Sequence, residues 1–543
     1  MKQFFDKWKK FFVINLVVGG FAFHTLISMG LLNQLDGIWH YGYGGAGNWE
    51  RATGRWFWPY LDELRFGLFT SPFCDILALS IFTLGNIIVL EILGIGPEVF
   101  RAYIVSFMFI VSTSIGVWLS FRFQSPSFAT AYLLAVITVY LCKIHVNINL
   151  EKQIGSKSSG VLADAILVIF AAISLALSLA TYQAFFDATC LVMLAAFMLM
   201  LYRNEEKSAL VRFFLKSVLS IICGAIIYFI GVNVSLARHG IEHLNSYNEG
   251  DSLGIGNTIL NVPETIETTI YYFQKYFFGT MFRWNRLQEH LIFRVLLFGV
   301  ILGAFIVGIV KIARKNIIYS ILFTICGLLM PIACNVVLFV ATESYLSIQM
   351  TNGLVLFLGL VFALIFEILD NNADSTDALL VKNTYIRKAI SILAGLVSIL
   401  VIYGNYISAQ IDQEACREGV TGTVTLAGEV LDTLWDMRYV DNGGTVCFVG
   451  MPCGNERFMY SEIYPMANEL MQFGNWGTTA SSHTQTWEGI YREYFGYYVQ
   501  TCSGEDFERI VERDDVKAMP MFPRTGSITN IDGITVVKIS NKY

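Results

Sequence analysis

Residues 33–67 bring together side chains that could bind a phosphorylated sugar. The stretch holds carboxylates and arginines among several Trp and Tyr residues: Asp36, Glu50, Asp62, Glu63, Arg51, Arg55 and Arg65. Carboxylates can accept hydrogen bonds from sugar hydroxyls, arginine pairs with phosphate oxygens, and an aromatic face can cover a sugar ring. An aromatic belt with snorkelling arginines, common at membrane surfaces, would have the same composition, so both interpretations stay open.

A second stretch, Phe282-Arg283-Trp284-Asn285-Arg286, offers two more arginines. The i,i+3 spacing of Arg283 and Arg286 puts both guanidinium groups on one face if the segment is helical. Such a face could hold a phosphate. It could equally be a membrane-surface helix that contacts anionic lipid headgroups.

The elements that position these residues are predicted to be membrane helices. The 543-residue chain is 55% hydrophobic and 15% charged, with a mean hydropathy of +0.55, which is too apolar for a soluble protein. Its formal net charge of −6 gives no basic surplus, so nucleic acid is excluded as a partner.

The apolar pattern predicts about eleven transmembrane helices. The runs lie near 11–31, 74–94, 102–121, 128–145, 161–182, 187–201, 214–236, 291–312, 317–340, 353–369 and 388–407. Lys2, Lys7, Lys9 and Lys10 precede the first run and indicate a cytoplasmic N-terminus. An odd helix count then puts three segments outside: about 32–73, about 237–290, and the tail.

Charged residues within the apolar runs lie near their ends rather than at their middles. A proton pump or an ion-coupled transporter would normally carry an ionisable relay near the bilayer midplane. The pattern therefore argues against both classes.

The tail, residues 409–543, is predicted to be an extracytoplasmic α/β domain that follows a transmembrane domain at 1–408. Strand-like runs at 445–450 and 533–539 alternate with helix-like runs at 424–437 and 507–513. The tail also contains Cys416, Cys447, Cys453 and Cys502. If it lies outside the cell, one or two disulfides among these four are possible.

Three other patterns are given little weight. The glycine-rich 42–47 stretch has no preceding strand, so it fails the context test for a phosphate-binding loop. His239 and His243 have the spacing of a metal pair around Glu242, but Gly240 interrupts the helix and no third ligand is obvious. Ser481, Ser482 and His483 lack a nucleophile elbow, so a hydrolase is not indicated.

Several short motifs together resemble the bacterial Gtr-type glucosyltransferases, enzymes that modify O-antigen and other surface polysaccharides. The motifs are an Asp soon after the first helix, a Gly-Arg-Trp, a Tyr-Gln at a later helix end, and a closing Gly-Ser…Ile-Asp-Gly…Val-Val-Lys. In this chain they are Asp36; Gly54, Arg55 and Trp56; Tyr182 and Gln183; and Gly526, Ser527, Ile531, Asp532, Gly533, Val536, Val537 and Lys538.

The resemblance implies a GT-C fold, in which a multi-span enzyme takes a sugar from a polyprenyl phosphate at the outer leaflet. It also implies a catalytic carboxylate in the first outer loop, near the first helix. Asp36 matches by position and is the expected base, with Glu50 as its rival. The residues expected to bind the donor are Arg55, Trp56, Arg283, Arg286, Tyr182 and Gln183.

We therefore expect a multi-pass cell-membrane hexosyltransferase that moves glucose, or another hexose, from a polyprenyl-phosphate donor to a surface glycan. No cofactor is expected, and a divalent metal is possible but not indicated. The alternative from another class is a lipid-linked sugar flippase without transferase activity. A polymer ligase that transfers a whole glycan from a diphosphate lipid would differ in its donor alone.

Overall fold

A computed structural model describes most of the chain and shows a helical bundle with a mixed tail. The described residues are 2–33, 36–40, 44–144, 158–242, 246–247, 250–251, 262–279, 282–339, 346–370, 384–437, 444–476 and 480–542.

The first half of the described chain contains twelve α-helices. They are α1 (Lys2–Ala22), α2 (His24–Met29), α3 (Asp36–Trp39), α4 (Asn48–Ala52), α5 (Trp58–Leu64), α6 (Phe73–Leu93), α7 (Phe100–Ile110), α8 (Thr113–Ser120), α9 (Ser125–Lys143), α10 (Ser158–Leu179), α11 (Phe186–Tyr202) and α12 (Lys207–His239).

The second half, as far as it is described, contains eight α-helices and all five strands. The helices are α13 (Val262–Phe278), α14 (Leu291–Lys315), α15 (Ile317–Ala333), α16 (Asn352–Asp370), α17 (Thr384–Asp436), α18 (Ala480–Phe495), α19 (Gly504–Val511) and α20 (Asp514–Ala518). The strands are β1 (Ser246–Tyr247), β2 (Gly250–Asp251), β3 (Val446–Val449), β4 (Ile528–Ile531) and β5 (Ile534–Lys538).

Within the described residues, eight helices are long and apolar enough to cross a membrane, or nine if the bent pair α7 and α8 forms one span. The predicted eleven runs all fall mainly in helix, so the two counts differ in two places if α7 and α8 form one span. The two places are α1, which begins with a cluster of charged residues, and α15, which is only 17 residues long. The mainly helical membrane fold is confirmed, and the count of eleven stays a prediction.

Ion pairs group the helix ends as the predicted threading requires. Lys7 Nζ lies 2.7 Å from Glu91 Oε1, which joins the start of α1 to the end of α6. Glu367 near the end of α16 pairs with Arg101 at 3.5 Å and with Arg203 at 2.9 Å. The threading predicts that all these ends face the cytoplasm; the pairs place them together, and the sidedness stays a prediction.

An aromatic cluster fills the bundle where α7 and α8 meet at a bend of 47°. Trp118 stacks on Phe82 with ring centroids 5.2 Å apart, and Tyr132 stacks on Phe109 at 4.8 Å. All four side chains are buried. A break in a membrane helix is tolerated when protein rather than lipid surrounds it, and these rings supply that surrounding.

The tail is joined to the bundle by helix α17, which runs without a break through residue 409, the predicted domain boundary. Fifty-three residues of helix extend about 80 Å at 1.5 Å per residue, far more than a bilayer needs. The second half of α17 therefore belongs to the tail, and it includes the helix that the sequence predicts at 424–437. The division into two domains stays a prediction.

The tail forms a three-stranded sheet in the order β3-β5-β4, packed against helices α18 and α19. Strands β3 and β5 are parallel, with Val446 opposite Thr535, and β4 and β5 form an antiparallel hairpin. Asp532 and Gly533 make its two-residue turn with φ of 52° and 84°, the positive values that such a turn needs. The predicted α/β character of the tail is present.

Candidate active site

Asp36 begins α3 and lies in a concentrated group of charges. Its carboxylate is surrounded by protein atoms, and the residue as a whole is half-buried. Burial raises the pKa of Asp36, the positive charges of His40 and Arg55 lower it, and the negative charge of Glu50 raises it. A carboxylate with a raised pKa is better suited to accept a proton near neutral pH.

Two different parts of the molecule hold α3 in place. The His40 Nδ1–H donates to the carbonyl of Asp36 at 3.0 Å, and the His40 ring stacks on Phe123 with centroids 3.8 Å apart. From the tail, Thr486 Oγ1 accepts a hydrogen bond from Trp39 Nε1 at 3.2 Å. The short helix that carries Asp36 is therefore fixed by the α8–α9 connection and by tail helix α18.

A close contact in α18 strengthens this packing. A Cβ added to Gly489 would lie 2.4 Å from Ile38 Cγ2, so only glycine allows α18 to approach α3 this closely. Ile38 is fully buried in a cluster whose other members come mainly from the tail. The tail thus contributes directly to the position of Asp36.

Glu50, the rival base, has a structural contact that Asp36 lacks among the described interactions. It lies in α4 with 6% of its surface exposed, and its Oε2 accepts a hydrogen bond from the backbone N–H of Gly47 at 2.6 Å. This contact caps the first turn of α4. The glycine-rich stretch around Glu50 is thus held by the Glu50 side chain itself.

Arg55 joins the first loop to the end of α10. Its Nε–H donates to Gln183 Oε1 at 3.4 Å, and its guanidinium carbon lies 4.9 Å from the Tyr182 ring centroid and 5.9 Å from that of Trp58. The predicted donor-binding residues Arg55, Tyr182 and Gln183 therefore meet in space although far apart in sequence. Cation–π contacts of this kind orient a guanidinium group without neutralising it.

Trp56 and Gln183 are both anchored on α12. Gln183 Nε2 donates to the carbonyl of Thr53 at 2.8 Å and to the Tyr228 hydroxyl at 3.1 Å, and Trp56 Nε1 donates to the carbonyl of Tyr228 at 3.3 Å. The Trp56 ring packs so closely on Gly231 that an added Cβ would lie 2.4 Å from it.

Tyr228 is a site residue that the sequence analysis missed. The signal that could have found it is its position between Gly224 and Gly231, at i−4 and i+3 on one face of α12. Small residues at this spacing mark a face that another part of the chain approaches closely.

Asp62 and Arg65, which the sequence grouped with the sugar-binding candidates, form a buried ion pair. Their side chains are 3% and 7% exposed. Asp62 Oδ2 accepts from the backbone N–H of Ala46 at 2.7 Å, and Arg65 donates to the carbonyl of Phe123 at 3.0 Å. Burial raises the pKa of Asp62, and Arg65 opposes this shift. The pair therefore connects α5 to the backbone at Ala46 and at Phe123 and has a structural role.

The second loop, around 282–289, places its two arginines differently from the predicted helical face. Arg283 lies before the 3₁₀ helix Arg286–Glu289, so the two guanidinium groups do not share a helical face. Arg283 donates to the carbonyls of Pro465 and Ala467 in the tail, the latter at 3.0 Å. Arg286 pairs with Glu289 at 3.5 Å. The condition for a shared face, a helical segment, is therefore not met, because Arg283 precedes the 3₁₀ helix and Asn285 between them is extended.

No group of three His, Cys, Asp or Glu residues able to hold a metal occurs in the described part of the chain. His239 Nδ1–H donates to the carbonyl of Ser235 at 2.8 Å, and His243 lies outside the described residues. In the tail, His483 is fully buried between Trp476 and the carbonyl of Phe448, and burial lowers its pKa to about 4. His483 is thus a neutral core residue.

Comparison with known proteins identifies one family. The family described as "Glucosyl transferase GtrII" matches residues 35–368. The match begins beside Asp36 and includes Arg55, Gln183 and Arg283. The tail, with the hairpin motif noted in the sequence, follows the matched region. No curated protein and no solved structure matches the chain.

Proposed function

The chain belongs to the GtrII glucosyl transferase family and is a glucosyltransferase, and on that premise we propose that it transfers glucose from a polyprenyl phosphate to a surface glycan at the outer face of the membrane. We further propose a GT-C fold. The observation that carries the proposal is the group formed by Asp36, Glu50 and Arg55 beside a set of membrane helices. It combines a base with a cation at one site.

Asp36 is proposed as the general base. An acceptor hydroxyl attacks the anomeric carbon of the donor, its proton passes to the Asp36 carboxylate, and a new C–O bond forms. The bond between the anomeric carbon and the phosphate oxygen breaks, and the polyprenyl phosphate leaves with the electron pair. A positioned base contributes typically 10²–10⁴-fold to such a step.

Arg55 is proposed to stabilise the phosphate of the leaving group. Its positive charge lowers the pKa of Asp36, and its guanidinium group is oriented by Tyr182 and Gln183. A fixed cation in a partly dehydrated site stabilises developing negative charge without reorganising. Trp56 and Tyr182 are proposed to line the donor site as aromatic walls.

Glu50 is proposed to bind sugar hydroxyls rather than to accept the proton. One of its oxygens already accepts the Gly47 N–H. The contacts of Arg283 and Arg286 support a role in fixing the second loop rather than in binding the donor phosphate. The tail is proposed to lie outside the cell and to border the acceptor site.

The test is the Asp36→Asn variant in the purified protein, assayed with polyprenyl-phosphate glucose and the glycan acceptor. Asparagine keeps the size of the side chain and removes its proton affinity. Turnover should therefore fall by roughly 10²–10⁴-fold while donor binding stays within about threefold.

Glu63→Gln is the matched control, because Glu63 is an exposed carboxylate in the same loop. It should retain full turnover. If Asp36→Asn turns over at nearly the wild-type rate while Glu50→Gln is inactive, the base is Glu50. If neither change matters, the first loop does not hold the catalytic carboxylate. Transport of lipid-linked glucose without transfer would favour a flippase.

A further inference from the structure

Cys447 lies on β3, and Cys502 lies in a strand-like segment that runs beside β3. Val446 N–H donates to the carbonyl of Gln500 at 2.9 Å, and Cys502 N–H donates to the carbonyl of Val446 at 2.9 Å. These two bonds create a parallel bridge between Val446 and Thr501. The next residue on each strand is a cysteine, so Cys447 lies alongside Cys502 in register.

The two cysteine side chains also point the same way. Both belong to one buried cluster, with Phe507 and Val536, and their exposed fractions are 0% and 3%. The thiols are close enough to interact: hydrogen bonding to Cys502 is the first cause, and burial the second, of a raised pKa at Cys447. Both are thiols in the structure.

The backbone spacing suits a disulfide. Neighbouring strands lie roughly 4.7–4.9 Å apart, within the roughly 4.4–6.8 Å that Cα atoms need for an unstrained S–S bond. The other two tail cysteines have different surroundings. Cys416 donates to the carbonyl of Leu32 from α17, and Cys453 lies 3.3 Å from Lys542 Nζ.

We propose that Cys447 and Cys502 form a disulfide in the mature protein and that the other eight cysteines stay reduced. The inference rests in part on the proposed function, because it requires the tail to be in an oxidising compartment. The bond closes the connection between β3 and the strand-like segment at 501, and so ties α18 to the sheet.

The chemistry is thiol–disulfide exchange with a disulfide-bearing oxidant of that compartment. One cysteine thiolate attacks a sulfur of the oxidant and forms a mixed disulfide, releasing the first thiolate of the oxidant. The second cysteine thiolate attacks the sulfur of the first, forms the S–S bond and releases the reduced oxidant. Two protons and two electrons leave the pair. Because both sulfurs are buried in the folded tail, the exchange takes place during folding.

The experiment counts thiols in the full-length protein from its own membranes. The protein is acid-quenched, denatured in detergent and labelled with a maleimide of large mass, with or without prior reduction. Reduction should add two labels to the wild type and none to Cys447→Ser or to Cys502→Ser. The matched control, Cys416→Ser with Cys453→Ser, should still gain two.

Peptide mass spectrometry of the unreduced wild type gives an independent reading and needs no variant. It should find the Cys447 and Cys502 peptides joined. Equal labelling before and after reduction, or a different joined pair, would overturn the proposal.

An alkaline phosphatase fusion at the C-terminus separates this failure from that of the proposed function. An active fusion with both thiols free would overturn the disulfide alone. An inactive fusion with free thiols would overturn the outer-face placement and the disulfide together.

Discussion

The two loops that carry the candidate arginines use the same side chain for different purposes. Arg55 in the first loop lies over the Tyr182 ring, and its positive charge lowers the pKa of Asp36. Arg283 in the second loop donates to backbone carbonyls of the tail. A guanidinium group offers the same N–H donors to phosphates and carbonyls, so its partners, and not its presence, indicate its role.

Both loops nevertheless depend on the tail. Trp39 in the first loop donates to Thr486, and the backbone N–H of Arg283 donates to Asn468 Oδ1 at 3.1 Å. Arg122 at the α8–α9 connection adds a third link, an ion pair with Glu493 at 3.0 Å. The tail is therefore a support that the two loops share.

The largest difference between the loops should appear when each arginine is replaced by glutamine. Arg55→Gln removes the cation beside Asp36, and a charge-assisted contact is worth about 1.5–3 kcal/mol. We expect kcat/KM to fall roughly ten- to hundredfold with little change in thermal stability. Arg283→Gln should instead lower the melting temperature and leave donor affinity nearly unchanged.

Titration of donor binding beside thermal melting measures both effects. If Arg283→Gln weakens donor binding tenfold with unchanged melting, Arg283 binds the phosphate as the sequence suggested, and the contrast between the loops disappears.

The next effect concerns Asn468, which accepts a hydrogen bond from the second loop and donates one to helix α17. Asn468 Nδ2 donates to Asp412 Oδ2 at 2.9 Å, and both residues are buried. Asn468→Ala leaves a buried carboxylate with one fewer donor, which costs about 1–3 kcal/mol. Asn468→Asp should cost more, because it places a second carboxylate beside the first.

Limited proteolysis and thermal melting should show the tail opening in both variants. Gln500→Ala, which removes an exposed amide elsewhere in the tail, should melt like the wild type. A stable Asn468→Ala protein with an unchanged cleavage pattern would contradict the support role of the tail.

The sequence predicted the parts of this molecule that depend on local patterns. The apolar runs predicted the membrane helices, and the short apolar runs at 445–450 and 533–539 predicted two tail strands, which are buried along their whole length. The short motifs gave the family. They also selected Arg55, Tyr182 and Gln183, which the fold places in contact. Trp56, selected with them, shares the partner Tyr228 with Gln183.

Partners from distant segments were not predictable from one sequence. Nothing near Arg283 indicates that carbonyls of 465 and 467 approach it, and nothing near Asp36 indicates that α18 packs against α3. The role of Tyr228 likewise depends on a close approach at Gly231. These contacts form between elements far apart in the chain, where local patterns carry no information about pairing.

A smaller effect concerns the acid limb of the profile of kcat/KM against pH, which reports the pKa of the base in the free enzyme. Arg55 lowers the pKa of Asp36 and Glu50 raises it. Arg55→Gln should therefore move the acid limb to higher pH, and Glu50→Gln should move it to lower pH. Glu63→Gln and Arg283→Gln should leave it in place. Shifts of the same sign for Arg55→Gln and Glu50→Gln would exclude Asp36 as the titrating base.

The smallest effect should come from Arg286, the partner that the sequence assigned to Arg283. Its guanidinium group is about one-third exposed, and its pairing with half-exposed Glu289 spans 3.5 Å. Exposed pairs of this kind contribute about 0–1 kcal/mol, and salt screens them further. Arg286→Gln should therefore change the melting temperature less than Arg283→Gln does, and it should also change the donor affinity less.

Because an exposed cation near the membrane could still attract an anionic lipid donor, the donor affinity of Arg286→Gln should be measured at low and at high salt. A loss of donor affinity at low salt alone would assign Arg286 to long-range attraction, whereas a loss at both would place it in the binding site beside Arg55.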